Sequence, residues 1–388
     1  MTAFPQARTC PYQPSPGYDS LREGPPLQQV TLYDGRTSWL VTGHAEARQV
    51  LADPRVSADR RRDGFPFISP RFPRAPENPP FLVLDPPEHT KYRRMLISEF
   101  TVRRFKELRP QIERTVHDTL DAMLAAGPPA DLVQAYSLPV PSMVICRMLG
   151  VPYEDHDHFQ DLSRQLVQGT SAEQVKAAGD ALTGYLTELA ADPPPGLIAR
   201  LREDQVKTGA LSPAELAVNG MLLLVAGHET TASVITLGVI TLLEHPDQLA
   251  RFRADPTVAG STVEELLRYL SIVDAGPARI ATEDIEVGGV TIKAGDGVLI
   301  GSSLANRDPG AFPDPDTFDV SRPARHHVAF GYGVHQCLGQ NLARMELELA
   351  LPALFDRIPG IRLGVPVGDL ELRSAGTIQG VNSLPVEW

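Results

Sequence analysis

The stretch that decides the fold is residues 330–339, which read FGYGVHQCLG. Its glycines frame one cysteine, Cys337, and residues 340–349 continue with helical spacing and no helix breaker. Glycine tolerates positive φ and lets the backbone approach a flat or bulky group, while a helix N-terminus favours a thiolate over a thiol. An isolated cysteine is usually buried and structural. Here the surrounding loop favours a thiolate that serves as the axial ligand of a haem iron.

The loop resembles the haem-binding signature of the cytochrome P450 family. Phe330, Gly333, Cys337 and Gly339 fill every position of that signature. The resemblance implies that Cys337 ligates the iron of haem b (iron protoporphyrin IX). It also implies that Phe330, Gly331 and Gly339 contact the cofactor.

Two further motifs occur in the order that the family shows. Residues 226–231, AGHETT, are similar to the oxygen-activation stretch of the long central helix, and residues 265–268, ELLR, are similar to the Glu-x-x-Arg pair. The resemblance extends from about Thr31 to Trp388 and indicates the soluble bacterial branch, with actinobacterial features such as DPPEHT at 85–90. It implies a mainly α fold with small peripheral β-sheets, built as a single large domain that encloses haem.

The composition favours one domain and disfavours some functions. No linker divides the 388 residues, so we expect a single domain over 1–388, with an extended N-terminal segment at 1–25. Cys10, Cys146 and Cys337 are too few and too scattered for a disulfide framework. Together with the lack of an apolar signal-peptide stretch, this predicts a cytoplasmic protein. A net charge of −12 disfavours nucleic acid as a partner.

One apolar segment, residues 211–243, raises the question of a membrane span. A span needs about 20 consecutive apolar residues. This segment is interrupted by Asn219, His228 and Glu229. It is therefore predicted to be a buried helix, and we expect no membrane anchor.

Helical periodicity dominates the chain. A hairpin is predicted from residues 29–33 and 37–41 around Asp34-Gly35, and short strands are predicted between 276 and 300 and in the tail. Residues 61–83 are rich in Arg, Pro and Phe without periodicity and are predicted to be a long loop. Helices are predicted at about 43–52, 87–100, 103–126, 136–149, 154–168, 172–190, 195–203, 213–244, 246–254, 262–270 and 337–356.

The central helix places an acid and an alcohol, Glu229 and Thr230, inside an apolar run. Burying such groups is expensive unless they are paired or functional. A threonine within a helix can bond back to the carbonyl four residues earlier, here that of Ala226. The pair is either a helix kink with a hydrogen-bonded acid or a proton relay. The family resemblance favours the relay. In that interpretation Thr230 and Glu229 are catalytic, and Ala226 and Gly227 line the haem.

The resemblance also identifies cations for the haem propionates and a structural ion pair. The positions that match the propionate contacts are His89, Arg93, Arg279 and His335. The alternative is that these are ordinary solvated charges. The resemblance implies that the Glu265–Arg268 pair, completed by Arg322, locks its helix to the loop that contains residues 306–308 and 312–319. Its expected role is structural, to hold the cysteine loop for haem capture.

The substrate contacts implied by the resemblance are mostly small or apolar, and each of them could equally be core. A roomy apolar pocket for a bulky lipophilic molecule is the expectation. We expect residues 61–83 to cover the distal side as a lid, with the 165–180 turn opposite. The predicted pocket residues are Phe81, Leu223, Val273, Ala275, Gly276, Thr377 and Ile378.

The function that follows is a haem-thiolate monooxygenase. It is expected to hydroxylate or epoxidise a lipophilic small molecule of secondary metabolism with O2, using two electrons from a ferredoxin and its reductase, and to act as a monomer. The basic run at 89–114, which reaches from His89 to Arg114, is predicted to receive the acidic ferredoxin. Alternatives are a peroxide-driven peroxygenase, a non-catalytic docking module and a haem-based gas sensor. The retained Cys337, Glu229 and Thr230 argue against the first two, and no signalling domain is visible for the third.

Overall fold

The computed structural model describes residues 1–72, 78–274, 276–373 and 377–388, and within them the chain is mostly helical. The helices are α1 Asp19–Arg22, α2 His44–Ala52, α3 Glu88–Leu96, α4 Val102–Ala126, α5 Pro139–Leu149, α6 His156–Gln168, α7 Ala172–Ala191, α8 Leu197–Leu201, α9 Pro213–Glu244, α10 Pro246–Ala254, α11 Ala259–Leu270, α12 Ser302–Ala305 and α13 Gln340–Arg357. The strands are β1 Leu27–Thr31, β2 Thr37–Val41, β3 Val56–Ser57, β4 Ala130–Asp131, β5 Ala278–Ala281, β6 Ile285–Val287, β7 Val290–Ile292, β8 Gly297–Ile300, β9 Arg362–Leu363 and β10 Pro385–Glu387. The predicted mainly α fold with small sheets is confirmed.

Helix α9 is the axis of the helical region. Ser212 caps its first turn in a capping box with Glu215, and Pro213 occupies the first helical position, where a missing N–H costs nothing. The helix packs against α5, α7 and α13. Most of its side chains are buried all round, which is the pattern of a core helix rather than a surface helix.

Among the described residues, α9 is also the one helix that is long and apolar enough to cross a membrane. Its most apolar window has a mean hydropathy of 1.5, and 83% of that window is buried inside the protein. The apolar face is therefore already covered by other helices, as the sequence predicts.

The largest sheet is small and lies beside the helical region. Its strand order is β1-β2-β8-β5-β3, with β2 parallel to β8 and the other pairs antiparallel. The β1–β2 hairpin pairs Leu27 with Val41, and Gly35 has a φ of +82° at its turn. A positive φ there suits glycine, because other residues rarely adopt it. Strand β5 of this sheet carries Arg279 toward the site.

Some boundaries differ from the predicted ones. The segment predicted as helix 87–100 ends as an α-helix at Leu96 and continues as a 3₁₀ turn. The helix predicted from residue 136 begins at Pro139, where a proline fits the first turn. The N-terminal 25 residues are not extended throughout, because a 3₁₀ turn at Pro16–Tyr18 and helix α1 form there. Tyr18 and Leu21 supply the reason, since both are buried in the apolar cluster beside the sheet.

Candidate active site

The Cys337 loop is shaped by two glycines in the left-handed region. Gly331 has a φ of +68° and Gly333 a φ of +73°. A Cβ at Gly333 would lie 2.3 Å from the Leu51 carbonyl oxygen, so only glycine fits against α2. The loop closes with the Cys337 amide donating to the Phe330 carbonyl at 2.9 Å. A Cβ built at Gly331 or Gly339 meets nothing within 4 Å, so open space lies beside the loop.

The thiol of Cys337 sits immediately before helix α13. Burial raises its pKa, while the amides of Gly339 and Gln340 and the charges of Arg93 and Arg344 act in the opposite direction. The sequence argument for a thiolate at a helix N-terminus is thus only partly met by the protein itself. A coordinated metal ion deprotonates a thiol outright. An iron bound at this position would therefore stabilise the thiolate, which the helix N-terminus alone does not achieve.

Beneath the loop lies a buried ion-pair network around Glu265. Arg268 donates to both carboxylate oxygens of Glu265 at 2.7 and 2.8 Å, and Arg322 donates at 3.1 Å. Arg268 also donates to the carbonyls of Asn306 and Pro315 at 2.9 and 2.8 Å. The side chains of Glu265 and Arg268 are wholly inaccessible to solvent. The three predicted residues therefore come together and tie α11 to the 306–322 segment.

A second anchor, not predicted from the sequence, is the neighbouring Glu264. It accepts from His327 at 3.1 Å and from Arg344 at 2.7 Å, one residue on each side of the cysteine loop. Burial alone would raise the pKa of Glu264, but these hydrogen bonds and the Arg344 charge lower it to about 2. Arg344 also stacks over the Phe330 ring at 4.7 Å. Both flanks of the loop are thereby fixed to α11.

The four predicted propionate contacts converge on one side of the loop. The rings of His89 and His335 lie 4.2 Å apart, and Arg93 donates to the Gln336 carbonyl at 2.6 Å. Arg279 is buried, and its Nη1 donates to the carbonyl oxygen of the preceding residue, Ala278. Burial and the neighbouring arginines lower the pKa of His89 to about 4 and that of His335 to about 3. Both imidazoles are therefore neutral near pH 7, and the positive charge of the cluster comes from Arg93 and Arg279. Asp85 is the acid whose charge acts on Arg279, but its own ion-pair partner is Arg62.

A further cation, Arg60, lies near Arg279 in this cluster and was missed by sequence reasoning. Burial lowers the pKa of Arg279, and repulsion from the Arg60 charge lowers it further. Together they bring the pKa of Arg279 to about 10. Among the described residues Arg60 has no acidic partner, whereas its neighbours Arg61 and Arg62 pair with Asp59 and Asp85. The run of three arginines was visible in the sequence, but nothing in it distinguishes the unpaired one.

These features fit haem. Both ring nitrogens of His89 and the Nδ1 atom of His335 are buried without a hydrogen-bond partner in the described part of the chain. Two propionates would give the cation cluster its missing negative charge, and the space beside Gly331 and Gly339 is open where a flat macrocycle would pass. Cys337 lies at the centre of the same loop, where its sulfur would serve as the iron ligand.

Helix α9 presents a cavity face in the middle of its buried length. Ala226 is exposed, and Gly227 and Thr230 are partly exposed, although their neighbours along the helix are buried. Thr230 Oγ1 donates to the Ala226 carbonyl at 2.9 Å. The helix is nevertheless continuous through this point. A Cβ at Gly227 would lie 2.6 Å from Ile145 Cγ1, so this glycine also permits the close packing of α9 on α5.

The acid of the predicted relay has a partner that sequence reasoning missed. Arg373, from the C-terminal region, donates to Glu229 Oε2 at 3.3 Å and to Ser233 Oγ at 3.2 Å. The side chains of Arg373 and Glu229 are almost fully buried. No sequence motif links residue 373 to residue 229, because their approach depends on the folded tail.

The predicted pocket residues come from segments that meet over α9. The Phe81 amide donates to Asn219 Oδ1 at 3.0 Å, one helical turn before Leu223. The Gln379 amide donates to the Ile272 carbonyl at 2.8 Å, which sets Thr377 and Ile378 beside Val273. Phe81, Leu223 and Ile378 are buried in one apolar cluster, and Val273 packs against it. Gly276 is partly exposed, and Ala275 lies outside the described residues.

The predicted lid and the turn opposite it are in contact. Arg71 is buried, and its Nη1 donates to the Val167 carbonyl at 2.6 Å and to the Gly169 carbonyl at 3.3 Å. Its guanidinium also lies 4.7 Å from the centre of the Phe72 ring. The described part of the 61–83 segment is therefore joined to the loop between α6 and α7. Residues 73–77 lie outside the described residues.

Comparison with known proteins agrees with this geometry. The family model for cytochrome P450 matches residues 186–357. The chain is 57% identical to vitamin D3 dihydroxylase of Streptomyces griseolus, over all of this chain and 97% of that protein. It is 52% identical to pentalenic acid synthase of Streptomyces avermitilis, over all of this chain and 97% of that protein.

The chain belongs to the cytochrome P450 family.

A solved P450 structure shows how closely the fold is shared. The mycinamicin VIII C21 methyl hydroxylase of Micromonospora griseorubida, solved with mycinamicin VIII bound, superposes with a TM-score of 0.95 at 43% identity, and each chain is covered in full. The P450 described here is accordingly a haem b monooxygenase, an oxidoreductase that acts on paired donors and incorporates one oxygen atom. Its actinobacterial relatives confirm the predicted branch of the family.

Proposed function

We propose that this P450 oxidises a bulky, lipophilic small molecule of secondary metabolism, with Cys337 as the axial ligand of its haem. The observation that carries the proposal is the juxtaposition of the Cys337 loop with buried cations and unpartnered imidazoles. Among the described residues the buried Arg279 has no ion-pair partner, and His89 and His335 have ring nitrogens without a hydrogen-bond partner. Burying such groups is expensive unless a ligand supplies the partner. The two haem propionates have the required charge.

The residue assignments follow from position. His89, Arg93, Arg279 and His335 hold the propionates, with Arg60 as an additional cation. Phe330, Gly331 and Gly339 shape the loop beside the macrocycle, and Ala226 and Gly227 form the wall on the opposite side. The network of Glu265, Arg268 and Arg322 keeps the loop in place before and after the cofactor binds.

Haem, when bound, supplies the oxygen and electron chemistry, and the protein supplies protons, orientation and the exclusion of water. Thr230 keeps its hydroxyl at the cavity face by donating to the Ala226 carbonyl. Glu229 lies on the same helix one residue earlier and carries protons inward from the solvent side. General acid–base groups of this kind contribute about 10²–10⁴ in rate.

The substrate class rests on the lining and on the relatives. Phe81, Leu223, Val273 and Ile378 are apolar and are proposed to line the substrate pocket, which favours a lipophilic molecule. The relatives named above carry the names of vitamin D3, pentalenic acid and mycinamicin VIII. Two of those names state a hydroxylation, so hydroxylation is the reaction we propose first, and epoxidation is the other reaction we include.

Electrons are proposed to come one at a time from a ferredoxin and its reductase. Helix α4 carries Arg103, Arg104 and Arg109 and packs against α13, which begins just after Cys337. This packing supports the proposal that the basic run lies on the cysteine side of the molecule, where the path to the iron would be short. We further propose that the enzyme works as a cytoplasmic monomer without a membrane anchor, which the burial of α9 supports.

The test is spectroscopic and then chemical. The reduced, carbon monoxide-treated protein should show the strongly red-shifted Soret band of a thiolate-ligated haem, and Cys337→Ser should abolish that band while Cys146→Ser retains it. Lipophilic candidates that shift the ferric spin state should then be oxidised with ¹⁸O from ¹⁸O2 in the presence of ferredoxin, reductase and NADH. Retention of the band in Cys337→Ser would refute the ligand assignment. Product formation from hydrogen peroxide alone at an equal rate would favour a peroxygenase.

A further inference from the structure

Two side chains outside the predicted relay contact or face its acid. Arg373 donates to Glu229 Oε2 at 3.3 Å, and the Nε2 atom of His228 lies 3.8 Å from Glu229 Oε1. The side chains of His228, Glu229 and Arg373 are all almost fully buried. The two oxygens of one carboxyl group thus face two chemically different neighbours.

Arg373 is seated by the folding of the C-terminal tail. Its amide donates to the Gly380 carbonyl at 2.9 Å, and Leu372 forms an antiparallel bridge with Val381. A Cβ at Gly380 would lie 3.1 Å from Ser233 Oγ and 3.3 Å from Arg373 Nε. Glycine at position 380 therefore leaves the room in which the guanidinium reaches α9.

The tautomer of His228 follows from its other nitrogen. Nδ1 lies 2.7 Å from the Leu224 carbonyl oxygen, which can only accept, so Nδ1 carries the proton. Burial, as the largest cause, lowers the pKa of His228 and keeps the ring neutral. Nε2 is then an unprotonated acceptor, and among the described residues it has no hydrogen-bond partner. An acceptor beside a carboxyl oxygen favours the form of that carboxyl that carries a proton.

We propose that Arg373 and His228 are positioning residues that give Glu229 a partner in each of its protonation states, so that it works as a two-state proton carrier. The proposal rests on the proposed function of Glu229 in the relay. Arg373 stabilises the carboxylate through Oε2. The lone pair of His228 Nε2, which is 3.8 Å from Oε1 and makes no hydrogen bond within the described residues, favours the neutral acid over the carboxylate. A proton from solvent adds to the carboxylate, and the acid then releases it toward Thr230 and becomes a carboxylate again.

The other titratable groups on the packed elements face elsewhere. Glu346 of α13 lies near Thr231, its carboxyl oxygens have no hydrogen-bond partner among the described residues, and burial raises the pKa of Glu346 to about 8. Cys146 of α5 is buried, and its charged neighbour is Asp155. Within the described residues, only His228 and Arg373 lie within ion-pair distance of the Glu229 carboxyl group.

The test measures the protonation of Glu229 directly and does not depend on turnover. Infrared difference spectra of the ferric haem-loaded enzyme across a pH series should contain a carboxylic acid band that is absent in Glu229→Gln. In Arg373→Met the pH midpoint of that band should rise by at least one unit, and in His228→Phe it should fall. Arg373→Lys, which keeps the charge, should lie near the wild type.

Turnover gives the second readout. With substrate, oxygen and the electron donors, Arg373→Met and His228→Phe should each release several-fold more hydrogen peroxide per NADH than the wild type, while the carbonyl spectrum and the substrate-induced spin shift are retained. The double variant Glu229→Gln/Arg373→Met, which removes both charges, controls for folding. Unchanged midpoints in the two variants, or shifts in the same direction, would overturn the proposal. Absence of product in the wild type would instead contradict the proposed function, because the infrared midpoints do not require product.

Discussion

The two sides of the Cys337 loop carry buried charge in opposite ways. On the α11 side, Glu264, Glu265, Arg268 and Arg344 all have charged or carbonyl partners within 3.1 Å. On the cavity side, the cations Arg60 and Arg279 are without an acidic partner within ion-pair distance among the described residues, and His89 and His335 are held neutral. The charges on the α11 side are paired within the protein, whereas the cations on the cavity side require an anionic ligand.

The difference distinguishes structural charges from binding charges. Burying a charge costs several kcal/mol unless it is paired and hydrogen-bonded. A network whose charges pair with one another helps to hold a loop. A cluster of cations without such partners indicates a binding site for an anionic ligand. Removing a cation from the α11 side should therefore destabilise the protein. Removing one from the cavity side should leave the haem-free protein as stable or make it more stable.

The largest effect is expected from Arg268→Met. It leaves Glu265 buried with much of its pairing lost, and breaking a buried pair in this way costs roughly 3–5 kcal/mol, a large part of the 5–15 kcal/mol that typically stabilises a protein. Thermal unfolding should occur at a much lower temperature, and little haem-loaded protein should accumulate. The double variant Glu265→Gln/Arg268→Met should recover part of the loss, and a fully stable single variant would show that the network is dispensable.

A smaller effect of the opposite sign is expected from Arg279→Met. The haem-free protein should be as stable as the wild type or more stable, since an uncompensated buried charge has been removed. Haem should be lost about tenfold faster or more, because a hydrogen bond to a charged group contributes about 1.5–3 kcal/mol. Denaturant unfolding of the haem-free protein and haem transfer to an excess of a haem-scavenging protein measure the two quantities.

Arg55→Met is the matched control for that experiment. Arg55 is bound to Asp53 at the surface and lies in the strand-β3 region near the same sheet, so its loss should leave haem release unchanged. If Arg279→Met instead destabilised the haem-free protein and left haem release at the wild-type rate, the unpaired cluster would be structural after all.

How much the sequence predicts depends on whether a feature is local. The Cys337 loop is recognisable because its glycines, aromatic residues and cysteine lie within ten positions, and Glu265 and Arg268 are one helical turn apart. Helix α9 is predictable for the same reason, since its apolar run and its Ser212-Pro213 start are contiguous. The fold class follows from such local signals, which the solved relatives share.

The missed residues depend on contacts between distant segments. Glu264 and Glu265 are adjacent in sequence, but only the fold shows that Glu264 binds His327 and Arg344. Arg373 reaches Glu229 across 144 positions of sequence. Periodicity and spacing carry no information about such pairs, so the polar partners of the relay could be found only from the structure.

The smallest expected effect is at the surface, with Arg103→Glu. The side chain of Arg103 is 92% exposed, and its nearest acid, Glu107, is 4.0 Å away, whereas Arg104 and Arg109 are engaged by closer glutamates. Isolated exposed charges contribute little to stability, so unfolding should change by less than about 0.5 kcal/mol. Reduction by ferredoxin should slow several-fold at low salt and recover at high salt, because screening removes electrostatic steering. Arg164→Glu, the same charge reversal at a surface side chain of α6 beside the lid contact, is the control. An equal loss in both variants would show that ferredoxin does not dock on α4.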